Sequence, residues 1–443
     1  MSAIWTLLAG GVEKTLADWG ITSKATVTFR STESDEFAFD VRPTDALAPP
    51  DFDLDDEIVL KKDGVTWFTG YIRQNPSSGS ARTERNSYVA KNFWDQMERI
   101  VYQQSRSLIN VGWVGTTQYA LTDIIFFQDP LYDPGVFVKI NAGTQVDKIL
   151  AYAEAKGAGF AASRGFSGPT PPSEHARDIT CAAALRRVLS WSPDVVTWAD
   201  YSTSPPTLYL HSRLYLTPVV IDLTDGSVSE FSIRPRADLV PAGVVFHLLY
   251  SEINPADGLY YTRVVTQSAG STSGIGVIVS TIDLPFTQDG AYEPVPTGPV
   301  DSGQTFAEYF YAALSAVFFE GTIRFKAEDC PGTIRPSKRL SFSGVTRPGW
   351  DTADAIVQAV TENLMTGETE VTLGPMSRLS AQDVVALGGN RPILGIKQPP
   401  VPPPSPPDSG GKDTRPGNKG QCYAIELCSG QTITVGLCNV VGS

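Results

Sequence analysis

Residues 24–30 (KATVTFR) and 36–42 (EFAFDVR) set an apolar side chain at every second position. A chain that repeats this in close succession is committed to half-buried strands, because only the two-residue period of a strand turns those side chains to one face. After an acidic connector, Ile58 to Leu60 and Val65 to Gly70 flank Lys61-Lys62-Asp63-Gly64. That is a hairpin whose Asp-Gly supplies the positive φ of a tight turn. Tyr71 to Gln74 extends the second arm, Pro76 to Ser80 make a loop, and Asn86 to Ala90 read as one more strand. So many antiparallel strands hide their edges best in a small closed or nearly closed barrel, expected over residues 1–92.

The period then changes. Asn92 to Gln103 spaces its apolar residues three and four apart, as an amphipathic helix does. Thr144 to Glu154, with Thr144 as N-cap, and Thr180 to Leu189 predict two further helices. Val195 to Asp200 and Thr207 to His211 read as a strand pair across Ser-Thr-Ser-Pro-Pro. Residues 93–214 are thus an inserted α+β unit. From 215 to 395 strand character returns, in Val219 to Leu223, Val228 to Ile233, Gly243 to Tyr250, Leu259 to Thr266, Gly276 to Leu284, Gly321 to Ala327, Leu340 to Phe342 and Glu368 to Leu373. One helix, Thr305 to Phe318, interrupts it, and Asp354 to Asn363 fits either helix or strand. This is a second β-barrel domain. Pro399 to Pro407 lies in a stiff Pro/Gly-rich linker, 396–420, before a small Cys-containing module, 421–443. The fold class is mainly β, with an α+β insert.

Composition narrows the function. A length of 443 residues asks for several domains, and 39 Gly with 33 Pro favour many short strands. A formal net charge of −13 opposes stable binding to nucleic acid, whose affinity comes from Lys and Arg on phosphate. Met1 to Gly10 lack a basic flank and a small-residue cleavage pattern, so no signal peptide is expected, and no run suits a membrane helix of roughly 20 apolar residues. No stable membrane insertion is therefore expected, and five Cys that form no secreted disulfide framework suit assembly in a reducing cytoplasm.

Two stretches resemble a known family. DDEIVLKKDGVTWFTGYIRQ, residues 55–74, is similar to a hairpin of phage tail hub proteins that occurs where their first barrel begins to close. EVTLGPMSRLSAQDVVALGGNR, residues 370–391, resembles the ending of the same family's second barrel. The resemblance covers most of residues 1–395. It implies two domains similar to the tail tube subunit in each chain, and a homotrimer whose six barrels imitate a hexameric ring. It further implies a non-enzymatic place in the virion, at the tail tip or baseplate. The implied partners are a distal tail protein or tube-end hexamer above, a central fibre or spike below, and the tape-measure protein. DNA would pass only in transit, along a channel for which an acidic wall is an advantage.

Chemistry elsewhere is sparse. Asp51, Asp53, Asp55, Asp56 and Glu57 alternate as hard-cation ligands do, but lack the following Gly and distal Glu of a calcium loop, so they read as a solvated connector or a lumen-facing loop. His175, His211 and His247 are far apart in sequence and read as packed or hydrogen-bonded imidazoles. No Gly-x-Ser-x-Gly, phosphate loop or His-Glu-x-x-His is present, and Glu13 and Asp18 are among scattered acids that nothing singles out as a glycosidase pair. Cys422, Cys428 and Cys438 sit in a module too small for its own core. An iron–sulfur cluster or zinc completed by Cys330, Cys181 or a non-Cys ligand, a disulfide, and small buried thiols all stand open; otherwise no cofactor is expected. Some tail-tip proteins similar to this class carry a C-terminal iron–sulfur module. Trp5, Trp19, Trp67, Phe93, Trp94, Trp113, Trp191, Trp198 and Trp350 read mostly as core or interface, with the 105–140 region, around its Asn110 to Gln118 loop, as the place for any sugar contact. The rival functions are a tail-associated cell-wall hydrolase and a host-surface adhesin.

Overall fold

The computed structural model describes residues 3–42, 52–78, 85–109, 116–132, 136–213, 216–253, 260–284, 295–315, 319–326, 329–344, 350, 355–374, 384–387, 423–426 and 432–435. Mainly β, with several sheets, it forms one compact unit over 1–395 and a second over 396–443.

The first module contains β1 (Trp5–Ala9), β2 (Val12–Thr15), β3 (Ala25–Arg30), β4 (Glu36–Val41), β5 (Glu57–Lys62), β6 (Val65–Gln74), β7 (Ser77–Ser78) and β8 (Arg85–Lys91). Its alternation does what the pattern requires: Ala25, Val27 and Phe29 are buried while Thr26, Thr28 and Arg30 are half-exposed. Each large apolar side chain buried this way contributes about 1.5–3 kcal/mol. Phe37, Phe39 and Tyr88 stack in series, with centroids 4.6 and 5.3 Å apart. Asp63 and Gly64 both take positive φ, 50° and 81°, so the β5–β6 turn has the twist that matches its strands.

The middle of the chain supplies α1 (Phe93–Arg99), β9 (Gln104–Ile109), β10 (Thr116–Leu121), β11 (Asp123–Phe126), β12 (Gln128–Tyr132), β13 (Val136–Lys139), α2 (Ala142–Ala155), β14 (Ala161–Gly165), β15 (Glu174–Arg177), α3 (Cys181–Leu189), β16 (Val195–Asp200) and β17 (Thr207–Ser212). The first helix stops before Gln103. Ile100 turns extended, Val101 bridges Thr180, and the Gln104 amide holds the Ile125 backbone from both sides at 2.8 and 3.0 Å. The cap of α2 is Asn141, not Thr144; the Asn141 side-chain oxygen Oδ1 accepts the Thr144 N–H at 2.8 Å. Thr180 caps α3 by accepting the Ala183 N–H.

Next come β18 (Val219–Asp222), β19 (Val228–Pro235), β20 (Gly243–Ile253), β21 (Tyr260–Gly270), β22 (Val277–Leu284), α4 (Phe306–Leu314), β23 (Phe319–Phe325), β24 (Arg339–Ser343), β25 (Ala355–Asn363) and β26 (Thr369–Leu373). Residues 355–363, open to either reading in sequence, are a strand. This stretch divides between two cores. β18, β19 and β23 to β26 join the first module in one 14-stranded sheet, whose main path is β19-β23-β26-β25-β3-β4-β8-β6-β5-β1-β2. The junction is the antiparallel pairing of β25 with β3, Val360 opposite Phe29 and Thr361 opposite Thr28. β20 to β22 and α4 share their core with the insert instead. Phe246 and Phe306, 5.0 Å apart, belong to the same cluster as Ile149 and Leu185. Strand periodicity locates both sets, but the partner of a strand lies far away in sequence, so the 215–395 stretch looks uniform when read alone.

In the second unit, β27 (Tyr423–Glu426) and β28 (Thr432–Val435) pair antiparallel, Ile425 opposite Ile433. No helix among the described residues is long and apolar enough to cross a membrane.

Candidate functional site

Three residues singled out in the sequence, Trp5, Trp67 and Cys330, meet where the first module adjoins β25. Trp5 at the start of β1 packs edge-on to Trp67 of β6, centroids 5.9 Å apart. Lys62 lies over both rings at 5.3 and 4.9 Å, and Arg335 lies over Trp67 at 3.9 Å and over Phe29 at 4.9 Å. Glu362 of β25 receives the Trp67 indole N–H at 2.7 Å and faces Arg335 at 3.3 Å. Partly buried cation–π contacts contribute about 0.5–2 kcal/mol each, so this cluster clasps the two halves of the large sheet. Cys330 borders it half-buried, a free thiol. Burial, reinforced by the Glu362 charge, pushes its pKa up to about 12, which disfavours the thiolate a nucleophile needs. Cys181, buried in α3, is likewise pushed up to about 12 by burial. Cys422, Cys428 and Cys438 lie outside the described residues.

A second cluster ties three segments together behind that clasp. Asp35, in the turn from β3 to β4, accepts the Arg30 N–H at 2.7 Å, the Asn92 amide at 3.2 Å and the Tyr201 hydroxyl. Asn92 also donates to the Tyr201 oxygen at 2.8 Å and caps α1. Beside it, Thr197 of β16 accepts the Thr32 N–H at 3.0 Å, and the Ser337 hydroxyl meets Ser31 at 3.2 Å and donates to the Thr197 carbonyl. First module, insert and β24 approach are thereby cross-linked through buried hydrogen bonds. Burial raises the Asp35 pKa to about 6, against the lowering effect of its donors.

Two carboxylates of the acidic run, those of Asp55 and Asp56, bond within their own chain. Asp55 pairs with Arg73 and stands 3.7 Å from Arg99, while Asp95 takes Arg73 at 2.7 Å and Arg99 at 3.2 Å. Asp56 accepts the Asp53 N–H at 2.8 Å, Glu57 opens β5, and Asp51 lies outside the described residues. Among the described residues no group of three His, Cys, Asp or Glu could hold a metal ion. The histidines sit in three separate sheets. His175 is 2.8 Å from Asp123 on β11, and His247 meets Thr266 across β20 and β21 at 3.1 Å. His211 packs by Trp198 and Tyr209, and burial with the nearby Lys338 charge lowers its pKa. Glu13 is bound to Lys61 at 2.6 Å, which holds its carboxyl below the usual range, and Asp18 accepts the Thr15 hydroxyl at 2.6 Å. Phe93, Trp94, Trp191 and Trp350 are buried, Trp19 donates to the Leu7 carbonyl at 2.9 Å, and Trp113 lies outside the described residues.

The feature that sequence reading passed over is at the ends of the large sheet. β2 pairs only with β1, and β19 only with β23, among the described residues. β2 exposes Val12, Glu13 and Lys14; β19 is exposed on both faces over most of its length, Phe231 included at 42%. Gly10-Gly11, both at positive φ, was the available signal for the β1–β2 hairpin.

No family model matches the chain, and the search of curated proteins finds no relative. Solved structures do match. A 43 kDa tail protein of prophage MuSo2 from Shewanella oneidensis has 12% identity and a TM-score of 0.50, over 84% of this chain and 98% of that one. The tail protein from Neisseria meningitidis MC58 has 14% identity and a TM-score of 0.48, over 86% and 99%. The E. coli c3393 protein, a type VI secretion component with structural similarity to T4 tail proteins gp27 and gp5, has 10% identity and a TM-score of 0.44, over 84% and 78%. The chain therefore shares the fold of the MuSo2 tail protein across most of both lengths.

Proposed function

We propose that this chain is a structural hub of a phage tail tip or baseplate, without enzymatic activity of its own. Three copies form a pseudo-hexameric ring that joins the end of the tail tube to a central spike or fibre and surrounds the DNA exit channel. The observation that carries this reading is the single large sheet, to which the first module and the β23–β26 strands both belong, whose main path ends at β2 and β19, each exposed and, among the described residues, without a partner on its outer edge. Open edges of this kind are aggregation hazards unless a partner covers them. Pairing β2 of one copy with β19 of the next is a heterologous contact, and such contacts close into rings when the rotation fits. Three chains with two modules each then offer six-fold repetition to a tube and three-fold symmetry to a spike.

The charge agrees with a channel that lets DNA leave. An excess of 13 acids over bases repels phosphate, whereas a ring holding DNA in place would need the reverse. The wider partners of the reading are a distal tail protein or tube-end hexamer, the tape-measure protein, and DNA in transit only. Native mass spectrometry tests it: the purified chain should give a species of three times 47.7 kDa, alone or on adding the tube-end protein. A monomer under both conditions would remove the reading.

A further inference from the structure

Between the outward face of the first module and the insert lies an open groove of about 500 Å³, within the roughly 300–1,000 Å³ of small-molecule sites. One wall follows from the pleat. The alternation that buries Leu7, Ile58, Leu60 and Phe68 turns Leu8, Val59, Thr69 and Tyr71 outward into the groove. The facing wall is the turn between β16 and β17, Thr203 to Pro206. Gly159 stands beside it at φ +67°, and a Cβ there would come within 3.4 Å of the Tyr71 hydroxyl, so the walls approach each other closely at that end.

The lining selects among ligand classes. Lys61 is its cation, and that charge is matched by Glu13 at 2.6 Å, while the exposed Glu57 adds a carboxylate to the lining, which leaves little to attract a phosphate. Hydroxyls of Thr66, Thr69 and Ser204 interrupt the apolar surface, so an acyl chain would strand polar groups, whereas the Thr203 hydroxyl is engaged by Thr207 at 2.9 Å. Each hydroxyl both donates and accepts, while Pro205, Pro206 and the Tyr71 ring, over which the Arg73 guanidinium lies at 5.5 Å, supply the apolar surfaces between them. A ligand with hydroxyls on its rim and C–H groups on its faces satisfies both. We infer that this groove binds a short neutral oligosaccharide, with Tyr71 as platform and the threonine and serine hydroxyls as hydrogen-bond partners.

The test uses the full chain, titrated calorimetrically with tri-N-acetylchitotriose, with maltotriose and, separately, with inorganic phosphate. At least one trisaccharide should saturate, with a Kd of about 1 mM, and phosphate should neither bind nor compete. Tyr71→Ala should weaken binding about tenfold. The double variant Thr69→Val with Ser204→Ala, which removes hydroxyls at nearly constant volume, should weaken it by a similar factor while the circular dichroism spectrum stays that of the wild type. Saturation by neither trisaccharide, or equal affinity in wild type and double variant, overturns the inference; so does displacement by phosphate. Ring formation is read separately by mass in the same samples, so loss of one reading leaves the other standing.

Discussion

Asp35→Asn should flatten part of the pH dependence of stability. The Asp35 carboxyl has a folded pKa of about 6 against an ordinary value of 3.8. The folded state therefore binds its proton more tightly than the unfolded state does, and stability contributed by this group falls as pH rises from 3.8 through 6. The sign is opposite to that of an ordinary salt-bridged Asp. At about 1.36 kcal/mol per pKa unit, the full swing is ~3 kcal/mol, and ~2 kcal/mol of it falls between about pH 4.5 and about pH 7.5. Asn has no such titration. Urea unfolding of both proteins at the two pH values isolates the effect, since every other titrating group cancels in the difference. The wild type should gain ~2 kcal/mol relative to Asp35→Asn on going to the lower pH. Tyr201→Phe removes the hydroxyl donor from the same carboxylate, and should destabilise by about 1–3 kcal/mol, more at the higher pH, where the stranded group is charged. Parallel stabilities of the wild type and the Asp35→Asn variant, or a gain in the other direction, would refute the reasoning.

Other consequences are open to measurement. Thr305 and Glu308 form a reciprocal capping box at α4, so Thr305→Ala should cost about 1 kcal/mol, read from the unfolding midpoint. Arg335→Met keeps the length but removes the cation over Trp67 and the partner of Glu362; a loss of about 1–3 kcal/mol is expected, with earlier hydrogen exchange in β25. Phe231→Lys puts a charge on the exposed β19 edge, and should leave the stability of the monomer within about 0.5 kcal/mol while lowering the fraction of chains found as trimers.

Local structure was readable where one residue type decides it. Phe37 and Phe39 announced a strand, Asp63-Gly64 a tight turn, and Thr180 a helix start, because period and backbone freedom act within a few residues. The N-cap of α2 went to Asn141 rather than Thr144 because both are capping types and only the turn geometry chooses between them. What stayed illegible is long-range. The pairing of Val360 with Phe29 joins positions hundreds of residues apart, and neither strand records its neighbour. Likewise Trp5, Trp67, Arg335 and Glu362 are individually ordinary, and their cluster exists only after the sheet has formed. The acidic run shows the converse: a conspicuous pattern in which Asp55 is taken up by Arg73 and Arg99, two residues that carry no mark of that role in sequence.

A three-dimensional map of the native particle by electron cryomicroscopy bears most directly on the ring. Three copies on the tail axis, with β2 of each hydrogen-bonded to β19 of the next, is the arrangement expected. Finding this polypeptide away from that axis, or finding both strands bare within the assembled tail, would contradict it.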